Sequence, residues 1–173
     1  MQKGLLIIYT GNGKGKTTAA LGLVLRARGH GMRVCVVQFI KGKWQYGEIE
    51  GLSLLGELVE LHIFGKGFTW LSKDMEKDKE AARYAFDFAK EAVCSGKYDM
   101  VVMDEFTYLI NYKIIDEKDA VEFLVNRPKD VHVVITGRGA SNALIEIADL
   151  VTQMQDIKHP YTIGITAQKG IEF

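Results

Sequence analysis

The sequence predicts an α/β fold, a mainly parallel β-sheet flanked by helices, and three observations predict it. Short apolar and β-branched runs alternate along the chain with longer stretches of helical periodicity. Each apolar run closes on a polar or glycine-containing loop. The runs are apolar at consecutive positions, as in strands buried on both faces, whereas a strand with one wet face alternates. Strand and helix in turn imply right-handed crossovers, with ligand-binding loops beyond the carboxyl ends of the strands.

Taken in order, the strands are expected at Gly4–Tyr9, Val34–Phe39, Val59–Phe64, Asp99–Met103 and Val131–Thr136. A first helix is expected from Thr17 to about Arg28, with Ala20, Leu23, Val24 and Ala27 as its apolar face and Gly29 and Gly31 placed to stop it. A second runs from Lys73 or Asp74 toward Cys94, with Ala81, Ala85, Phe88, Ala89 and Ala92 on one face and Gly96 beyond its end. A third starts near Asp116 and stops before Pro128. The tail from Tyr161 to Phe173 is expected to add an edge strand.

A length of 173 residues suits a single domain, residues 1–173, and neither repeats nor a Pro/Gly/Ser-rich linker divide it. Lys plus Arg and Asp plus Glu both number 22, so composition gives a nucleic-acid role no support. Cys35 and Cys94 lack the spacing of a disulfide framework or a zinc site. The apolar stretch Leu5–Ile8 is too short for a membrane span and no signal peptide is evident, so the expected compartment is the cytoplasm.

The turn Gly11-Asn12-Gly13-Lys14-Gly15-Lys16-Thr17-Thr18 follows a predicted strand and opens a predicted helix, which makes it a phosphate-binding loop rather than a Gly-rich connection. Gly11, Gly13 and Gly15 can take positive φ and leave no Cβ between backbone amides and an oxyanion, and the helix starting near Lys16 adds its positive end. Lys16 would neutralise phosphate charge, and Thr17 would offer its hydroxyl to Mg²⁺. The common G-x-x-x-x-G-K-[ST] pattern would place a glycine where Thr10 stands, and Lys14 is an additional cation. That variant spacing weakens the inference that the γ-phosphate reacts. The run Met100–Met103 ends in Asp104-Glu105, and in P-loop proteins such a strand supplies a Mg²⁺ ligand. With the strand continued, the two carboxylates would point to opposite sides, so that one faces the metal.

Other loops exceed what a simple ATPase needs. Gly65-Lys66-Gly67-Phe68-Thr69-Trp70-Leu71 carries two large aromatics between glycines, either for a flat apolar ligand or as a loop mini-core. Gln38-Phe39-Ile40-Lys41-Gly42, followed by Tyr46-Gly47-Glu48, mixes a cation, an aromatic and a carboxylate at a strand end. Arg138, between Gly137 and Gly139, suits an anion or a ribose edge, with a solvated turn as the competing reading. Arg26 is either a nucleotide contact or a surface cation, and His159 either a polar contact at the site or structural. No Ser/His/Asp or Cys/His nucleophile assembles from spacing, so the protein would position two substrates and let one supply the nucleophile.

The segments Thr10–Thr18, Val37–Gly42, Gly67–Trp70, Asp104-Glu105, Arg127-Pro128, Thr136–Gly139, Ala148–Val151, Lys158-His159 and Ala167–Ile171 together resemble the P-loop type of ATP:cob(I)alamin (corrinoid) adenosyltransferase, with its RecA-like fold, over essentially the whole chain. The resemblance implies that Co(I) of a reduced corrinoid, complete cobalamin or cobyrinic acid a,c-diamide, attacks C5′ of ATP and expels triphosphate, with the phosphates lying the reverse way along the loop. It implies an ATP site made of Gly11, Asn12, Gly13, Lys14, Gly15, Lys16, Thr17 and Thr18, to which Arg26 and Arg138 are added as candidates. It implies Thr17 and Glu105 as Mg²⁺ ligands. Phe68 and Trp70 match the aromatics that displace the corrinoid's lower axial ligand, leaving a four-coordinate Co(II) that is easier to reduce. Lys16, Phe68 and Trp70 are thus the expected catalytic residues. A homodimer and an electron donor such as a flavoprotein reductase are implied as well. Some relatives carry an N-terminal extension that helps cover the site; here almost nothing precedes the first strand, so closure would fall to a dimer partner or to residues Lys41 to Glu50.

Two rival readings rest on the phosphate loop alone: a RecA-like ATPase or kinase acting at the γ-phosphate, and a non-catalytic nucleotide-binding regulator. Neither accounts for the aromatic loop.

Overall fold

The computed structural model describes residues 3–40, 46–64 and 75–173. Six strands form one sheet: β1 (Leu6–Thr10), β2 (Val34–Gln38), β3 (Val59–Ile63), β4 (Met100–Asp104), β5 (His132–Thr136) and β6 (Leu150–Gln153). Their order is β3-β2-β4-β5-β1-β6, and every pairing is parallel. The helices are α1 (Lys16–Gly29), α2 (Gly47–Ser53), α3 (Met75–Cys94), α4 (Thr107–Asn111), α5 (Glu117–Asn126) and α6 (Asn142–Ile147).

Two cores explain the continuous apolar runs. Leu6, Ile8, Cys35, Val37, Val101, Met103, Val133 and Ile135 face α3 and α5. The alternate residues Ile7, Val34, Val36, Met100, Val102 and Val134 face Ala20, Val24 and Ala27 of α1 and Leu52 of α2. Successive side chains of one strand thus enter different cores, so neither face could be polar. On α3 the buried stripe is Ala82, Ala85, Phe86, Ala89, Ala92 and Val93. Ala81 and Phe88, expected on that stripe, lie half-buried at its margin.

The five expected strands form, and the expected edge strand is displaced. The tail is a 3₁₀ turn at Pro160–Ile163 followed by turns, with Gly164 and Gly170 at positive φ. Pro160 and the left-handed glycines interrupt any extended pairing. The strand at the edge beside β1 is β6, paired through Ile7↔Leu150 and the residues following, and β3 forms the opposite edge.

Asp149 ties this edge down. Its carboxylate accepts from the Leu6 amide (2.9 Å) and from Lys3 Nζ (2.8 Å), and it pairs with the buried Arg127 guanidinium at 3.3 Å. These contacts, the Leu6 amide foremost, hold its carboxyl below the usual carboxylate range. A carboxylate with a depressed folded pKa contributes stability above its unfolded pKa, and that stability is lost as pH falls through the folded value. Asp149→Asn is expected to cost about 1–2 kcal/mol at neutral pH. The difference should shrink as pH drops below the carboxylate range in urea melts; a pH-independent difference would contradict this origin.

Candidate active site

The carboxyl ends of β1, β2, β4 and β5 converge on one site. From β1 the chain turns through Gly11 (φ 96°) and Gly15 (φ 107°) into α1, backbone angles that favour glycine. Gly15 is the N-cap and offers no side chain, which leaves the amides of the first helical turn to an anion. Lys16 is buried, and its Nζ donates to the carbonyls of Gly11 (2.9 Å) and Gly13 (2.6 Å). Burial lowers its pKa, the Arg138 guanidinium lowers it further, and Glu105 opposes both.

The glycines also serve the fold. A Cβ on Gly11 would stand 2.3 Å from the Met154 carbonyl oxygen, and one on Gly13 2.5 Å from that of Gln155. The segment after β6 lies directly against the loop. The Gly13 amide donates to the Met154 carbonyl at 2.8 Å, so the expectation that all three glycines bare their amides to phosphate is corrected for Gly13. Thr10, in the place of the usual glycine, is buried and accepts from the Ala140 amide at 3.1 Å, which pins the loop carrying Arg138.

Asp104 is the hub beneath the loop. One carboxylate oxygen accepts from the Thr17 hydroxyl (2.8 Å) and the Thr136 hydroxyl (2.7 Å), the other from Gln38 Nε2 (3.2 Å). By donating its proton to Asp104, Thr17 keeps its oxygen lone pairs available to a cation. The strand ends there: Glu105 is left-handed (φ 65°), its amide donates to Thr136 Oγ1, and it lines the same cavity as Thr17. A hydroxyl with one or two carboxylates beside a phosphate site is the donor set Mg²⁺ takes, its other positions going to phosphate oxygens and water. Among the described residues no cluster of three His, Cys, Asp or Glu could hold a metal alone, and this donor set does not require one.

The main cavity at the loop has a volume of about 600 Å³ and is lined by Lys16, Thr17, Thr18, Glu105 and Arg138 together with Tyr46, Glu48, Tyr108 and residues 170–173. A second, of about 390 Å³, lies between the loop and Asp156, His159, Tyr161 and Thr162. Lys14, Lys16 and Arg138 line both. Gly137 (φ 141°) and Gly139 (φ 63°) present Arg138, whose carbonyl accepts from Thr107 Oγ1 (2.7 Å) and Asn111 Nδ2 (2.9 Å).

The site therefore brings together Gly11 to Thr18, Glu105 and Arg138. Arg26 is exposed in the last turns of α1 and lines neither of these two cavities. Phe39 is not presented to a ligand: it is buried, with its ring centroid 5.6 Å from that of Phe106. His159 lines the second cavity while its Nδ1 accepts from the Tyr161 amide, so both of its readings meet. Phe68, Trp70, Lys41 and Gly42 lie outside the described residues. Sequence reasoning missed Gln38 and Thr136 as partners of Asp104, and Tyr108 and the tail as walls. The available sign was a polar residue closing an otherwise apolar buried strand.

A glycine turn between a central parallel strand and a helix, with a buried lysine and a strand-end carboxylate bonded to the helix's first threonine, defines a P-loop nucleotide-binding protein. Flagellar accessory protein FlaH from Methanocaldococcus jannaschii shares the fold, with a TM-score of 0.60 at 13% identity over 88% of this chain and 72% of that one. The family model for ATP:corrinoid adenosyltransferase BtuR/CobO/CobP matches residues 2–173, and the chain belongs to that family. Its relatives include the corrinoid adenosyltransferases of Sinorhizobium sp (45% identity; 99% of this chain and 81% of the relative) and Escherichia coli K12 (42%; 99% and 87%). The corrinoid adenosyltransferase CobA of Salmonella typhimurium is 41% identical, over 99% and 87%. The chain is accordingly a transferase of ATP-dependent adenosyl transfer to a corrinoid, and the ATPase or kinase alternative is not favoured.

Proposed function

We propose that the phosphate loop holds ATP by its leaving group while Co(I) of the corrinoid attacks C5′, so that the bond broken is C5′–O and the product is triphosphate. The observation that carries this reading is the buried Lys16 at a loop whose spacing departs from the common one at Thr10, beneath a cavity that Arg138 and Lys14 also line. The C5′–O electrons pass to the departing polyphosphate, and the cobalt electron pair forms the new Co–C bond. Lys16, Arg138 and the first-turn amides of α1 stabilise the negative charge that grows on the leaving oxygen. Thr17 and Glu105 would hold Mg²⁺, with Asp104 orienting Thr17, and the ion would add positive charge on the phosphates. No side-chain nucleophile is needed, because the corrinoid carries the hard chemistry and the protein supplies orientation.

The remaining parts of the reading follow the family. Residues 1–173 act as one domain in a cytoplasmic homodimer, served by an electron donor such as a flavoprotein reductase. No described helix is long and apolar enough to cross a membrane. Phe68 and Trp70 displace the lower axial ligand of Co(II). Phe68→Ala and Trp70→Ala are therefore expected to lose most activity when Co(II) must be reduced in the site, and to keep it with prereduced Co(I). Weakened MgATP binding instead would overturn that role.

The deciding assay combines the protein, MgATP and chemically reduced cob(I)alamin. A light-sensitive alkylcobalamin formed together with triphosphate is expected; ADP release without alkylcobalamin would sink the reading.

A further inference from the structure

Lys14 stands at the divide between the two cavities, and its counterion comes from the far end of the chain. Glu172 Oε1 lies 3.5 Å from Lys14 Nζ, with side-chain exposures of 40% for Lys14 and 20% for Glu172. The carboxylate is held by its own turn: Oε2 accepts from the Gln168 amide at 2.7 Å, and the Glu172 amide donates to the Gln168 carbonyl at 2.9 Å. The Gln168 amide, and then the charges of Lys14 and His159, keep Glu172 ionised to lower pH than an ordinary glutamate. It lines the main cavity together with Lys16, Thr17 and Arg138. A fixed negative charge thus stands 3.5 Å from one of the three cations, Lys14, Lys16 and Arg138, that line this cavity, which Glu48 and Glu105 line as well.

That arrangement has opposite consequences with and without phosphate present. Alone, Glu172 pairs with Lys14 and keeps it turned across the site. Beside a polyphosphate the same carboxylate repels the ligand and offsets part of the Lys14 charge that would otherwise act on it. We propose that Glu172 competes with the polyphosphate for Lys14, weakens retention of the product triphosphate and so favours its release. The inference rests on the proposed function, in which triphosphate is the leaving group of this loop.

Glu172→Gln removes the charge and keeps an oxygen to accept from the Gln168 amide, so the tail retains its anchor. Magnesium triphosphate, titrated calorimetrically at low salt into the wild type and into E172Q, K14M and the double variant, tests the competition. E172Q is expected to bind about two- to fivefold more tightly than wild type, the range for one partly exposed charge. K14M should bind more weakly, and in its background the gain from E172Q should shrink, which is the coupling that competition requires. Unchanged or weaker binding by E172Q overturns the proposal, as does an undiminished gain in the K14M background. A wild type that fails to bind triphosphate at all overturns the leaving-group reading and this inference with it.

Discussion

Lys16→Met is expected to lower kcat/KM on the order of 10³-fold while leaving the fold intact. Lys16 is only 8% exposed, and its ammonium is satisfied by the Gly11 and Gly13 carbonyls rather than by a carboxylate. Methionine matches its length and carries no charge to desolvate, but it leaves the Gly11 and Gly13 carbonyls without their donor, so the variant should fold and melt moderately below the wild type. Lys16→Arg should not restore activity, because a planar guanidinium does not fit a pocket shaped for a point charge. The same lysine predicts a pH effect. Burial and Arg138 lower its folded pKa, so the free enzyme loses this charge at lower pH than an ordinary lysine would. The alkaline limb of the kcat/KM profile should therefore begin below the usual lysine range and disappear in Lys16→Met. A variant that retained activity, or that failed to fold, would place the role of Lys16 elsewhere.

Asp104 should separate charge from structure. In Asp104→Asn the Thr17 and Thr136 hydroxyls keep a carbonyl oxygen, and a flipped Gln38 amide can accept from the new NH₂ group, so the melting temperature should change little. Activity should fall about 10- to 100-fold, the usual cost of losing a residue that orients a metal ligand. Asp104→Ala strips the acceptor from donors at a position that is 1% exposed, and should cost about 3 kcal/mol of stability. Calorimetric melting beside MgATP-dependent turnover distinguishes the two. An Asn variant with full activity would remove Asp104 from the positioning of Thr17.

β1, β2, β4 and β5 were legible because each is buried on both faces, which writes an uninterrupted apolar run into the sequence, whereas β3, at the sheet edge, is half-buried and alternates Val59, Leu61 and Ile63 with Glu60 and His62. β6 carries no such mark: its residues are all exposed, and it exists through backbone pairing with β1. The helices α2, α4 and α6 span seven, five and six residues, too few to show a helical period. The tail was misassigned because an apolar stretch from Tyr161 resembles a strand until Pro160 and the left-handed Gly164 and Gly170 are given their backbone angles.

By itself the sequence determined the alternating α/β order, the phosphate loop from Gly11 to Thr18 and the strand ending in Asp104. These are local features: their geometry depends on residues a few positions apart, and glycine, lysine and threonine at fixed spacing carry the chemistry in the chain itself. Tertiary structure alone decided which residues meet. It joined Thr17, Gln38 and Thr136 to Asp104, packed the backbone after β6 against Gly11 and Gly13 and brought Glu172 to Lys14. These contacts link residues remote in the chain, and their partners are chosen by strand order and crossover direction, which no local pattern encodes.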